Sequence, residues 1–289
     1  MSFRADGKRV KNADPMYIVA PYIMDKRNDA LNQITIDIPL EPISEYLSEA
    51  RKKGKAYSHM DVLIAAYARI VGEFPELNRF VVNKRIYARN ELAVAMVVLK
   101  AGDDSGTMSK MYFDYDYTID DVHEVISKYV EENRSVDNQN ATDKMIKFLL
   151  SLPGLVGFLV KIFKFLDNHG LLPKFVVDLS PFHTSLTLTN LASIRTNHIY
   201  HHIYNFGTTG VFFAMGNSRE VPKRKGDEII HEKCMPIGVV MDERIASGHY
   251  FANAFRRMKK YLANPALLEL PPEKPPVYEV PFKRGQKNK

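Results

Sequence analysis

The sequence predicts an α/β fold built as one main domain, an open mixed β-sheet with helices packed on it. Three observations lead there. Apolar residues alternate in "NQITIDIPL", setting Ile34, Ile36 and Ile38 on one face as in a half-buried strand. "ELAVAMVVLK" is an almost unbroken run of apolar β-formers, the pattern of a central strand covered on both sides. Stretches of helical periodicity alternate with such strands along the chain, and at 289 residues it is long enough to bury a substantial core.

The elements follow in order. "ISEYLSEARKKG" reads as a short amphipathic helix ending at Gly54. "SHMDVLIAAYARIVGEFPELN" opens with Ser58 as N-cap and Asp61 three residues on. Its apolar stripe is Leu63, Ala66, Tyr67, Ile70 and Phe74, and Pro75 ends it. "TIDDVHEVISKYVEENR" is a further helix with Val122, Val125, Ile126, Tyr129 and Val130 turned inward. Four strands are expected from "HTSLTLTNL", "GVFFAMGN", "DEIIHEKC" and "MPIGVVMD". A turn at Gly248 then leads into the closing helix "GHYFANAFRRMKKYL". Strand alternation sets Thr187 and Thr189 on one face, and Leu186 and Leu188 on the other.

Around this domain, placed at residues 18–265, the composition marks a basic arm at 1–17 and a Pro-rich, basic tail at 266–289. The tail is expected to be extended or disordered. The net charge of +6 is concentrated at the two ends, with Arg4, Lys8, Arg9 and Lys11 at one and Lys283, Arg284, Lys287 and Lys289 at the other. Such runs read as solvated tails, and no nucleic-acid-binding module accompanies them. The single cysteine, Cys234, excludes an intramolecular disulfide and reads as a core thiol. The N-terminus lacks the apolar core of a signal peptide, so the expected location is the cytoplasm.

"MIKFLLSLPGLVGFLVKIFKFL", within an apolar insert at about 142–180, has its uncharged run between Lys147 and Lys161. That is short of the ~20 residues a spanning helix needs. It reads as a helical hairpin broken at Leu152-Pro153-Gly154. The alternative is an amphipathic element at a lipid surface or over a hydrophobic ligand, with Lys147, Lys161 and Lys164 at its polar edge. His198, His201 and His202 cluster without a convincing carboxylate or thiol ligand, and no metal site is expected. His183 and His249 flank strands and are candidates for proton transfer.

Taken together, the segments resemble the catalytic domain of the 2-oxo acid dehydrogenase acyltransferases, in the superfamily that includes chloramphenicol acetyltransferase. The resemblance runs from about Ile18 to Leu262 and is interrupted by the insert. It rests on "KRNDALNQITIDIPL", "VLIAAYARIVGEFPELNRF", "LTLTNLASI", "GVFFAMGNSREVP" and "MPIGVVMDERIASG". It implies a chloramphenicol acetyltransferase-like two-layer sandwich, a mixed sheet flanked by helices. It further implies homotrimers with the active site between subunits, and coenzyme A or acyl-CoA as substrate beside a small-molecule acyl acceptor. A histidine would serve as base and a strand hydroxyl as oxyanion donor.

Carried across, Thr189 takes the oxyanion-donor position. Asn190 and Leu191 match, and Ala192 replaces a glycine. In the motif Asp-His-Arg-x-x-Asp-Gly, Asp242, Arg244 and Gly248 match, but Glu243 stands for the histidine and Ser247 for the second aspartate. Glu243 is therefore either the catalytic base, with His249 in reserve, or a structural carboxylate paired with an arginine such as Arg27 or Arg244. In the second case the chain is a silent trimeric binding or assembly module. Asn190, Asp242, Arg244, Ser247 and Gly248 are the implied substrate-binding set. No lipoyl domain precedes the core, so no covalently bound lipoate is expected on this chain, and peripheral membrane contact would fall to the insert.

Overall fold

The computed structural model describes residues 4–100, 106–134, 141–151 and 154–281. The chain enters through β1 (Gly7–Arg9) and α1 (Pro15–Ile23), capped by the Asp14 side chain. β2 (Leu31–Pro39), α2 (Leu40–Lys52) and α3 (His59–Glu73) follow. Ile36 and Ile38 of β2 are buried as the alternation requires, but Ile34 is 39% exposed because β2 lies at the sheet edge. The Ser58–Asp61 capping box forms at the start of α3. This helix is buried from Asp61 through Gly72 around its whole circumference, not along one stripe, because α2, α4 and α8 enclose it against the sheet.

A hairpin of β3 (Arg79–Val82) and β4 (Arg85–Arg89) joins β1 in a small sheet, turning through Asn83 and Lys84 in the left-handed region. The main strands and helices are β5 (Leu92–Leu99), β6 (Gly106–Phe113), α4 (Ile119–Arg134), β7 (Leu186–Asn190), β8 (Val211–Met215), β9 (Arg219–Lys225), β10 (Glu228–Asp242) and α8 (Gly248–Ala263). The insert supplies α5 (Ala141–Leu150), α6 (Val156–Asn168) and α7 (Lys174–Leu179). The expected break falls between α5 and α6; of its residues, Leu152 and Pro153 lie outside the described ones.

Among the described residues the main sheet has seven strands in the order β2-β10-β8-β7-β5-β6, with β9 paired to β10. β7 runs parallel to both β5 and β8, and the other pairs are antiparallel, so the sheet is mixed. The two expected strands "DEIIHEKC" and "MPIGVVMD" are one continuous β10. Leu186, Leu188, Val211, Phe213, Ile237 and Val239 form the core with the helices. Thr187, Phe212 and Val240 point to the opposite face, where residues 196–204 cross the strands. A Cβ on Gly216 would collide with the His198 backbone, and one on Gly238 with the Ile199 carbonyl, so this crossing needs both glycines. Thr35 Oγ1 lies 3.0 Å from His198 Nε2, and His201 stacks on Phe212 at 4.2 Å between ring centroids.

Described residues of both terminal segments pack on the domain. Arg4 is buried, donating to Asp6 at 2.9 Å and to Asp167 of the insert at 2.5 Å, with its guanidinium over the Phe80 ring. At the other end Val277 N–H donates to Gly72 O at 2.8 Å, Tyr278 stacks on Tyr115, and Glu279 pairs with Arg79. The arm and tail expected as solvated thus pack at these points, because each brings a charge to a buried partner of opposite sign. Lys283, Arg284, Lys287 and Lys289 lie outside the described residues. Cys234 is buried.

Candidate active site

β10 carries its apolar pattern to Asp242 and there leaves the sheet. Asp242 N–H donates to Gly210 O and Glu243 N–H to Ala30 O, both at 2.9 Å, while Ile245 N–H turns back to Asp242 O at 3.3 Å. The chain then reaches Ser247, whose side chain caps α8 by accepting from Tyr250 N–H at 3.0 Å. This order of residues makes a strand end and a helix start separated by one tight turn.

Asp242 is fully buried and anchors two arginines. Arg244 grips it with both arms of its guanidinium, Nε at 2.8 Å and Nη2 at 2.7 Å, and donates Nη1 to Met24 O at 3.0 Å. Arg27 approaches Asp242 at 3.4 Å as an ion pair, and donates to Tyr204 O at 2.6 Å and Gly207 O at 2.9 Å. Burial pushes the Arg27 guanidinium down to about 10; Asp242 opposes this and the charge of Arg244 adds to it. The three side chains therefore hold the entry to β2 and the 204–207 segment against the strand end.

Glu243 lies outside this cluster. It is half-buried, and Asn32 Nδ2 donates to its Oε2 at 2.7 Å. The pairing with Arg27 or Arg244 considered from the sequence does not form, because both arginines turn inward to Asp242. Asn32 is a partner sequence reasoning missed. Its only signal is its place at the start of β2, opposite Met241, which becomes visible once the strand register is known.

Thr189 and Asn190 lie at the far end of β7. Thr189 is half-buried, and Asn190 Oδ1 accepts from Ser193 N–H at 3.3 Å in a short 3₁₀ turn. Thr189 is level with Ala214 of β8, which faces Gly238 of β10. From Gly238 to Glu243 is five residues, roughly 16 Å along the strand, plus two strand spacings, or roughly 19 Å in all. Within one chain the two cannot touch the same carbonyl. His249 is exposed on α8, 2.9 Å from Asn253 Nδ2, and Gly248 is an exposed first residue of that helix. His183 is buried between Ser180, 2.7 Å from Nδ1, and Asp167, 3.3 Å from Nε2. No three side chains of metal-ligating type gather among the described residues.

A second constellation of catalytic type lies on the helical side. His123 Nδ1 is 3.1 Å from Asp61 Oδ2, and Ser127 Oγ is 3.3 Å from Nε2. Ser127 Oγ is also 3.5 Å from Nδ1, so the hydroxyl sits beside the ring edge rather than in line with one nitrogen. Asp61 Oδ2 is further occupied by Ser58 N–H at 2.6 Å. The three side chains close the α3–α4 contact and do not form a proton relay.

Residues 183–270, which include both Thr189 and the Asp242–Gly248 turn, match the model of the family described as 2-oxoacid dehydrogenases acyltransferase (catalytic domain). The same part of the chain is similar to the dihydrolipoyllysine-residue acetyltransferase component of the acetoin cleaving system of Bacillus subtilis (strain 168), 31% identical over 87 residues. That match covers 30% of this chain and 21% of the relative, so the chain spans about a fifth of the length of the curated protein it matches. Over most of the chain the structure superposes on the cubic core of the pyruvate dehydrogenase multienzyme complex. The TM-score is 0.57 at 11% identity, covering 90% of this chain and 95% of that one. A chloramphenicol acetyltransferase gives a TM-score of 0.55 at 12% identity, over 89% of this chain and 99% of that one.

The chain has the chloramphenicol acetyltransferase-like fold. The resemblance drawn from the sequence is borne out, with the mixed sheet flanked by helices that it implied. At this strand end Asp242 and Arg244 are joined to each other, and the residue between them is a glutamate that bonds to Asn32 instead.

Proposed function

We propose that the chain is a coenzyme A-dependent acyltransferase-like protein that works as a homotrimer, with residues 18–265 as the transferase unit. Glu243 of one copy would be the base and Thr189 of a neighbouring copy the oxyanion donor. The observation that carries this reading is the inward turn of Arg244, which leaves Glu243 at the strand end with Asn32 and, among the described residues, no arginine paired with it. The roughly 19 Å between Glu243 and Thr189 supports a site completed by a second subunit.

In this reading Glu243 accepts the proton of an acceptor thiol or hydroxyl. The freed lone pair attacks the thioester carbonyl of acyl-CoA, and the Thr189 hydroxyl donates to the oxyanion. Collapse breaks the carbon–sulfur bond, and the coenzyme A thiolate takes the proton back from Glu243. The base contributes about 10²–10⁴-fold and one oxyanion donor about 10²–10³-fold. Asp242 and Arg244 hold the turn, while Asn190, Ser247 and Gly248 border the substrate. His249 is the reserve base.

Thiol release from acyl-CoA by the purified protein tests the assignment. Glu243→Gln is expected to lose about 10²–10⁴-fold while His249→Ala keeps the wild-type rate; equal rates in wild type and Glu243→Gln contradict it. A second reading, a silent trimeric binding module, is favoured by Ser247. Its side chain is consumed as the α8 cap where the family motif has an aspartate. Acyl-CoA binding without turnover would select that reading.

A further inference from the structure

We infer that the insert is a docking surface for an anionic lipid bilayer. α6 is two-faced. Phe163 and Leu166 pack inward on Leu172, Val176 and Val177, and Asp167 is locked to Arg4 and His183. The opposite side exposes Phe158 and Phe165, 61% and 59% accessible, seven residues apart and therefore on one ridge. Lys161 lies between them along that ridge and Lys164 beside it, both exposed. α5 repeats the chemistry with Phe148, 65% accessible, next to exposed Lys144 and Lys147.

The charges select the partner. The acids of these two helices are turned to the protein, Asp143 onto the Thr107 hydroxyl at 2.9 Å and Asp167 into its buried cluster. Lys144, Lys147, Lys161 and Lys164 have no ion pair among the described residues. Exposed phenylalanines beside unpaired lysines fit an interface of acyl chains below anionic headgroups. The rings enter the acyl boundary, and the long lysine stems carry the ammonium groups up to the phosphates. A twofold contact between two copies through this face would set the lysines against each other. The helices need not cross the bilayer, and among the described residues none is long and apolar enough to do so.

Flotation of the full chain with phosphatidylcholine vesicles, with and without phosphatidylserine, tests this. Binding is expected only with phosphatidylserine and should fall as salt is raised. Lys161→Gln with Lys164→Gln should weaken it about 30-fold. Phe158→Ser with Phe165→Ser should abolish it, with melting temperature and mass in solution unchanged in both double variants. The lysine variants are surface changes that leave the packed side of α6 intact, so they keep the test open if the serine variant fails to fold. Absence of wild-type flotation with phosphatidylserine, wild-type flotation by the lysine variant, or dissociation of a wild-type oligomer in the folded serine variant would overturn the inference. The last outcome would make the ridge a subunit contact.

Discussion

Asp242 and Glu243 are adjacent carboxylates with opposite surroundings, and the difference predicts opposite mutational behaviour. Among the described residues, Asp242 is the only carboxylate that pairs with both Arg27 and Arg244, and all three side chains are buried. Asp242→Asn leaves two guanidinium groups in the interior facing a neutral amide. It should cost about 3–5 kcal/mol in urea unfolding. Glu243 has one hydrogen bond to a surface asparagine, so Glu243→Gln should change stability by less than about 0.5 kcal/mol. The same measurement on both variants checks the contrast; a large loss in Glu243→Gln would make that residue structural. This division was only partly legible in the sequence. The motif placed Asp242, Glu243 and Arg244 together, but which carboxylate an arginine chooses depends on Arg27 and Met24, more than 200 residues away in the chain.

At the scale of elements, the N-terminal strand is held by charge in an unusually dry place. Burial alone would raise the Asp6 carboxyl, but Arg4 and Arg89 beside it hold it below the usual carboxylate range. Burial would likewise raise Asp167, and His183 and Arg4 hold it down. A carboxyl depressed in the folded state contributes stability above its unfolded pKa of ~4 and loses it as pH falls through the lower folded value. Stability should therefore drop on acidification below about pH 4, and Arg4→Ala should flatten that drop and cost about 3 kcal/mol at neutral pH by leaving buried carboxylates unpaired. An acid-unfolding profile unchanged in Arg4→Ala would contradict the assignment.

Ser247→Ala removes the α8 cap and should cost ~1 kcal/mol in the same assay. The cap at Ser58 was readable from Ser-x-x-Asp, and the placing of Leu186 and Leu188 on one face of β7 and Thr187 and Thr189 on the other from alternation alone; which face meets the helices was not. β9 was not, because Arg219–Lys225 is mostly charged and exposed, with Val221 its one partly buried residue, and carries no alternation signal. The length of β10 was obscured because its first part, Glu228–Lys233, is polar-rich and largely exposed while Cys234–Asp242 is buried, so one strand carries two different patterns, with Pro236 inside the second.

At the scale of the whole molecule, two halves of one proposed site lie at opposite ends of the sheet. Thr189 is three registers beyond Leu186, which pairs with Val211 near the Asp242 end. The strand order β10-β8-β7 keeps the two ends apart in each chain, so assembly is the step that would bring them together. The sequence resemblance pointed to that arrangement through its family. The register adds that Glu243 and Thr189 stand too far apart to share a substrate within one chain, a separation the sequence pattern does not contain. Mass measurement of the purified protein in solution should accordingly give a trimer.

The most direct measurement mixes two inactive proteins. Glu243→Gln and Thr189→Val, each purified alone, should have little acyl-CoA turnover. Unfolded together in equal amounts and reassembled at random, roughly a quarter of all interfaces, about one in three within each mixed trimer, should pair an intact Glu243 with an intact Thr189 of the next subunit, and turnover should return to about a quarter of the wild-type level. Two inactive variants that stay inactive when co-assembled in confirmed mixed trimers would contradict a base and an oxyanion donor meeting across the subunit boundary.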